Sequence, residues 1–182
     1  MFWRAWARGF ADDWGPPEMP FTPSRVVGFA LSKEAIPLLQ RLEQEGWLGA
    51  IRWPDDPTPP ADWLAQEWPR ASAVVAVAAA GLVTRLVAPL LVSKDTDPAV
   101  VVLDPEGRFA VPLLGGHGAG AESLARQIAA LVGGQAVITG SSSAMGRLPL
   151  DSFGSDWGWI RGAGDWQALM LAARQDGDRL PM

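Results

Sequence analysis

Residues 115–120 read GGHGAG and carry the only histidine of the chain, His117. An imidazole with its ordinary pKa of about 6.5 can move a proton near neutrality, donate a hydrogen bond to a ligand carboxylate, or simply cap its loop. The surrounding glycines, Gly115, Gly116, Gly118 and Gly120, allow backbone to approach a ligand closely. A helix is expected over residues 121–132, and its first N–H groups would carry a partial positive charge toward that loop. A carboxylate or a phosphate is the natural guest. Glu122 stands in the first turn of this helix, where the dipole alone favours an acid. Ser141, Ser142 and Ser143 form a second group of donors that could hold an anion or serve as plain loop. Gly81 and Arg85, just after the apolar run 72–79, complete the candidate binding residues; Arg85 is equally explicable as a solvated helix charge.

Several other chemistries are excluded by residue type. There is no cysteine, so disulfides and thiol catalysis are out. One histidine without cysteine cannot build a usual zinc site, and no metal ligands are assigned. A Walker A loop, a G-x-S-x-G elbow and an H-E-x-x-H helix are all missing. Gly116-x-Gly118-x-x-Ala121 matches the dinucleotide fingerprint formally, but no acid closes the next apolar run at Thr139. The serines with Arg147 keep NADP open as a weaker alternative, through its 2′-phosphate.

Composition narrows the class further. A chain of 182 residues fits one domain, and 48% hydrophobic with 19% charged residues is globular. The net charge is −5 and no Lys/Arg cluster occurs, which argues against nucleic acid as a partner. The longest apolar run, residues 73–83, is too short and alanine-rich to span a bilayer, and the N-terminus lacks a signal-peptide pattern. A cytoplasmic protein without membrane association is expected. Of ten tryptophans, seven precede residue 70 and three follow residue 156. They read as core and edge packing, or as an aromatic surface for a flat ligand or neighbouring domain.

The elements that must position these residues follow from period and punctuation. Residues 1–24, with four prolines, read as a lead-in, and residues 161–182 as a tail or linker with a short helix over 166–174. Between them lies one α/β domain, residues 25–160. Residues 25–31 (RVVGFAL) are expected as a strand, and 33–46 as a helix with Ser32 at its N-cap. A short strand at 50–53, a loop at 55–60 (DDPTPP) and a short helix at 61–68 come next. Residues 72–79 are a buried strand and 82–91 a helix ended by Pro89 and the polar run beyond it. Residues 100–104 and 108–113 flank Pro105-Glu106-Gly107 as a hairpin, and 136–139 (AVIT) is another buried strand.

This alternation implies an open, mostly parallel but mixed sheet with helices on both faces, of Rossmann or flavodoxin type. Ligands then bind beyond the carboxyl ends of the strands. Taking 100–104 as the antiparallel member puts the loops at 80–81, 115–120 and 140–143 on one shared edge, with His117 and Ser141 flanking one cleft.

A set of residues also resembles a known family. Gly81 with Arg85 and 88–91 (APLL), Lys94 with 97–101 (DPAVV), and 112–117 (PLLGGH) leading to Leu124-Ala125 are similar to the N-terminal domain of the CbiG proteins of cobalamin biosynthesis, over residues 71–159. The resemblance implies cobalt-precorrin-5A hydrolase chemistry, a C–C hydrolase activity that opens a lactone and releases acetaldehyde. It implies an anionic tetrapyrrole with acetate and propionate arms as substrate, with the cobalt carried by the substrate and no separate cofactor. Partners would be the remaining CbiG portion or a tetrapyrrole methyltransferase domain. His117 would be the acid/base. Where the family loop has serine, asparagine and aspartate, this chain has Gly115, Glu122 and Ala144. Low turnover by this chain alone, or a non-catalytic tetrapyrrole-binding or docking role, is therefore also expected.

Overall fold

The computed structural model describes residues 25–116, 119–139, 164, 165 and 168. The expected lead-in, His117, Gly118, the serine run 141–143 and Arg147 lie outside the described residues. So does the tail, apart from three residues; Ala168 is helical and donates its N–H to Asp165 Oδ1 at 2.9 Å.

Six strands form one sheet in the order β2-β1-β3-β4-β5-β6. They are β1 (Val26–Ala30), β2 (Ala50–Arg52), β3 (Ala73–Val77), β4 (Ala99–Leu103), β5 (Phe109–Leu114) and β6 (Gln135–Ala136). The three central strands read VVGFA, AVVAV and AVVVL and are buried at every position. Continuous apolar runs of this kind belong to strands covered on both faces, as parallel sheets require. The helices that do the covering are α1 (Ile36–Gln44), α2 (Pro60–Glu67), α3 (Ala80–Val87) and α4 (Ala121–Val132). On one face Leu38, Leu39 and Leu42 of α1 and Leu124, Ala125 and Ile128 of α4 pack on Ala30, Val75, Val77, Val101 and Leu103. On the other, Leu64 of α2 and Val83 and Val87 of α3 pack on Val27, Phe29, Val74, Ala76, Val100 and Val102. The mixed α/β sheet with two covered faces is as expected.

The polarity of the hairpin is not. β1 pairs parallel with β2 and β3, and β3 parallel with β4; β5 is the strand that reverses, and β6 runs parallel to β5. The reason is connectivity. The β3–α3–β4 segment is a long crossover containing a helix, the unit that joins parallel neighbours. The turn at 104–108 is too short for anything but a reversal, and Gly107, at φ +68°, supplies its left-handed residue. Pro112 sits inside β5 because the register skips from Val100↔Leu114 to Val101↔Pro112, and β6 pairs only as far as Ala110. A proline without an N–H is tolerated beside such a bulge.

Three local expectations also change. The first helix begins as a 3-10 turn at Lys33–Ala35, with Pro37 at the start of α1 and no cap bond from the Ser32 side chain. Gly81 is not in a loop; it is the second residue of α3, which starts at Ala80 and passes into a 3-10 turn at Ala88–Leu90. The strand expected at 136–139 is only Gln135–Ala136 and is not buried, because it is the edge of the sheet.

Candidate functional site

The reversal of β5 separates the candidate residues. Gly81 follows the carboxyl end of β3, whereas residues 115–120 follow β5 and therefore lie at the opposite edge, where β1, β3 and β4 begin. The single edge expected for all three loops does not exist. Since β5 and β6 are parallel, the chain leaves both toward the same edge. Arg85 lies in the last turn of α3, which runs back from Gly81. It is exposed and stands one helical turn beyond Gly81.

The glycine loop is held by its own backbone. The Gly115 carbonyl accepts N–H bonds from Ala119 at 3.2 Å and Ala121 at 3.1 Å, and the Gly116 carbonyl accepts from Glu122 at 3.1 Å. Gly115 and Gly120 are left-handed, at φ +72° and +79°. At Gly115 the need for glycine is double. A Cβ there would meet Ala119 Cβ at 2.7 Å and the Ala99 Cα at 3.2 Å, so the loop lies directly against the start of β4. Gly120 is the N-cap of α4 and contributes no side-chain cap.

Glu122 is buried, only 7% exposed, although it stands in the first turn of a helix. Its Oε1 lies 3.3 Å from the place a Cβ on Gly116 would take, and its Oε2 is 3.9 Å from Arg126 Nη2. The partial positive charge of the α4 N-terminus therefore already has a carboxylate beside it. β5–α4–β6 is a parallel crossover of the kind the dinucleotide fingerprint requires.

Next to the loop, the connection from α3 to β4 forms a second, tightly tied structure. Asp97 Oδ1 and Oδ2 each accept the Val92 N–H at 3.1 Å, and Oδ2 also accepts the Ser93 N–H at 3.1 Å. The Ser93 carbonyl takes N–H bonds from Thr96 at 3.1 Å and Asp97 at 2.9 Å, and Ser93 Oγ accepts from Asp95 N at 3.2 Å. Pro98 is buried and leads into Ala99. The sequence reads this run as a helix terminator and, at Lys94 and 97–101, as part of the family resemblance. Its signal was an aspartate just before a proline, four residues after a serine, which is turn chemistry.

The far edge carries a different device. Arg52 is 5% exposed and donates to backbone carbonyls only: Nε to Thr58 at 2.9 Å, Nη2 to Asp56 at 3.1 Å, and Nη1 to Trp53 at 3.2 Å and Ala30 at 3.5 Å. It ties the 53–58 loop to the end of β1. Nε, Nη1 and Nη2 all donate to the fold, so Arg52 is a structural cation. Among the described residues no group of three or more histidine, aspartate or glutamate side chains is placed to hold a metal. No described helix is long and apolar enough to cross a membrane.

Comparison with known proteins places this geometry. Residues 62–143 match the family described as Cobalamin synthesis G N-terminal. The chain is 40% identical over 87 residues to the cobalt-precorrin-5A hydrolase of Priestia megaterium, and 38% identical over 81 residues to that of Salmonella typhimurium. These segments are 48% and 44% of this chain and 23% of each relative, so the chain spans under a quarter of the relatives' length. A solved structure of a cobalamin biosynthesis protein G homolog from Sulfolobus solfataricus superposes with a TM-score of 0.54 at 26% identity, covering 63% of this chain and 36% of that one.

Proposed function

We propose that this chain, whose residues 62–143 match the family described as Cobalamin synthesis G N-terminal, binds cobalt-precorrin-5A, or a close anionic tetrapyrrole, for lactone opening with release of acetaldehyde. The observation that carries this reading is where the match falls: it contains α3, the Asp97 turn, the glycine loop and α4. In this reading residues 115–120 present backbone to the lactone carbonyl, and His117 between them moves the proton between water and the departing oxygen. Cobalt arrives with the substrate, and the work is done in the cytoplasm. Its partner is the remaining portion of the hydrolase, or a tetrapyrrole methyltransferase domain.

A non-catalytic binding domain is the second reading, and Glu122 favours it. Lactone hydrolysis passes through an oxyanion, which preorganised donors must stabilise. A buried carboxylate at the α4 N-terminus works against that charge. The test is anaerobic incubation of the 182-residue chain with cobalt-precorrin-5A, with acetaldehyde measured by a coupled alcohol dehydrogenase and binding by quenching of tryptophan fluorescence. Binding with slow release, well below that of the Priestia megaterium hydrolase, is expected. His117→Ala should remove the release while leaving the melting temperature nearly unchanged, because a loop side chain contributes little to the core. Binding with no release in the wild type supports the second reading. Neither binding nor release defeats both.

A further inference from the structure

We propose that the Asp97-tied turn forms the second wall of the tetrapyrrole site, with Leu91 and Val92 as the apolar contact for the macrocycle and Lys94 as a counter-charge for its acidic arms. This deepens the function proposed above and rests on it.

The case begins with exposure. Val92 is 86% exposed and Leu91 44%, two adjacent aliphatic side chains left in water. Isolated exposed apolar residues are ordinary, but these sit on a turn that is anything but loose. The Asp97 carboxylate binds the N–H groups of both Val92 and Ser93, and the Ser93 carbonyl and hydroxyl close the rest of the turn. A carboxylate spent on holding two backbone amides displays Val92 in one place. Such preorganisation is what a binding surface gains from, since ordering is done before the ligand arrives.

Position is the second argument. The turn ends at Ala99, whose Cα is the backbone atom that a Cβ on Gly115 would strike at 3.2 Å. The turn and the glycine loop therefore abut at the edge where β4 begins and β5 ends.

Charge is the third. A polycarboxylate ligand gains from a cation beside its apolar contact. Lys94, two residues from Val92, is exposed and has no ion pair among the described residues. A flat apolar ring with carboxylate arms fits an aliphatic pair with a cation beside it. Asp95, beside Lys94, has the opposite effect on such a ligand and provides a signed control.

The experiment uses the full 182-residue chain and two stable probes: cobyrinic acid, with free acetate and propionate arms, and cobinamide, the same ring with those arms amidated. Affinities come from fluorescence quenching. Val92→Asn, which removes the apolar contact without adding charge, is expected to weaken both probes about tenfold, the worth of one aliphatic contact of this size. Lys94→Ala is expected to weaken cobyrinic acid about threefold and cobinamide hardly at all, an effect that fades at high salt. Asp95→Asn should tighten cobyrinic acid. All three are surface changes, and circular dichroism with thermal melting verifies the fold. If the wild type binds and all three variants bind as it does, this wall is wrong while the proposed function stands. If the wild type binds neither probe, nor cobalt-precorrin-5A, both fall. Equal loss of the two probes with Lys94→Ala overturns the charge assignment.

Discussion

Replacing Gly115 with alanine tests the geometry on which the site depends. The residue has φ +72°, and an L-residue held in that region costs about 1–2 kcal/mol. The added methyl would also sit 2.7 Å from Ala119 Cβ and 3.2 Å from the Ala99 Cα. The first contact lies within the loop and the second is the backbone of a buried central strand, so neither yields without moving something else. Overpacking of this kind costs about 1–3 kcal/mol. Together the loss should be on the order of 3 kcal/mol, which for a chain of this length lowers the melting temperature by about 6–12 °C. Urea denaturation at constant m-value is the assay, with Gly116→Ala as the comparison. At Gly116 a Cβ meets only the Glu122 carboxylate, at 3.3 Å, and the expected loss is below about 1 kcal/mol. Ligand affinity should fall with Gly115→Ala as well, because the loop can no longer lie against β4. A Gly115→Ala chain within about 0.5 kcal/mol of wild type would show that the loop does not have this conformation.

Gly81→Ala should behave oppositely: nothing lies within 4 Å of its Cβ position in the first turn of α3, so a gain of about 0.5–1 kcal/mol is expected in the same urea titration. Arg52→Met should cost on the order of 3 kcal/mol, since the carbonyls of Thr58, Asp56 and Trp53 lose a buried cationic donor, and limited proteolysis should then cut within residues 53–59. Asp104 should contribute to acid unfolding. Burial pushes its carboxyl up, but hydrogen bonds from Phe109 N–H and the Arg108 guanidinium outweigh that, leaving its pKa below the ordinary value. A depressed folded pKa gives stability that is complete above the unfolded value, about 3.9, and is lost as pH falls through the folded one. Asp104→Asn should therefore flatten the stability curve below about pH 4, read as melting temperature against pH.

How much of this was legible in the chain depended on whether the signal was local. The buried runs at Val26–Ala30, Ala73–Val77 and Ala99–Leu103 announce covered strands because each is apolar throughout, and the α/β class with helices on two faces follows from their alternation with amphipathic segments. The glycine loop, its helix and the closing Gly133 are equally local, as each needs a backbone conformation that only certain residues adopt. Burial of Arg52 and Glu122 carried no such mark. A charged residue type points outward on average, and the carbonyls or the glycine it packs on come from positions that only folding brings near. The direction of β5 was undecided for a related reason. An apolar strand reads the same forwards and backwards, so hydrophobicity cannot say which end of it faces which edge. The β3–α3–β4 crossover made β4 parallel, and the short turn at Gly107 then left β5 no direction but the reverse. That reversal placed residues 115–120 against Ala99 and away from Gly81, and so decided which candidate residues share an edge.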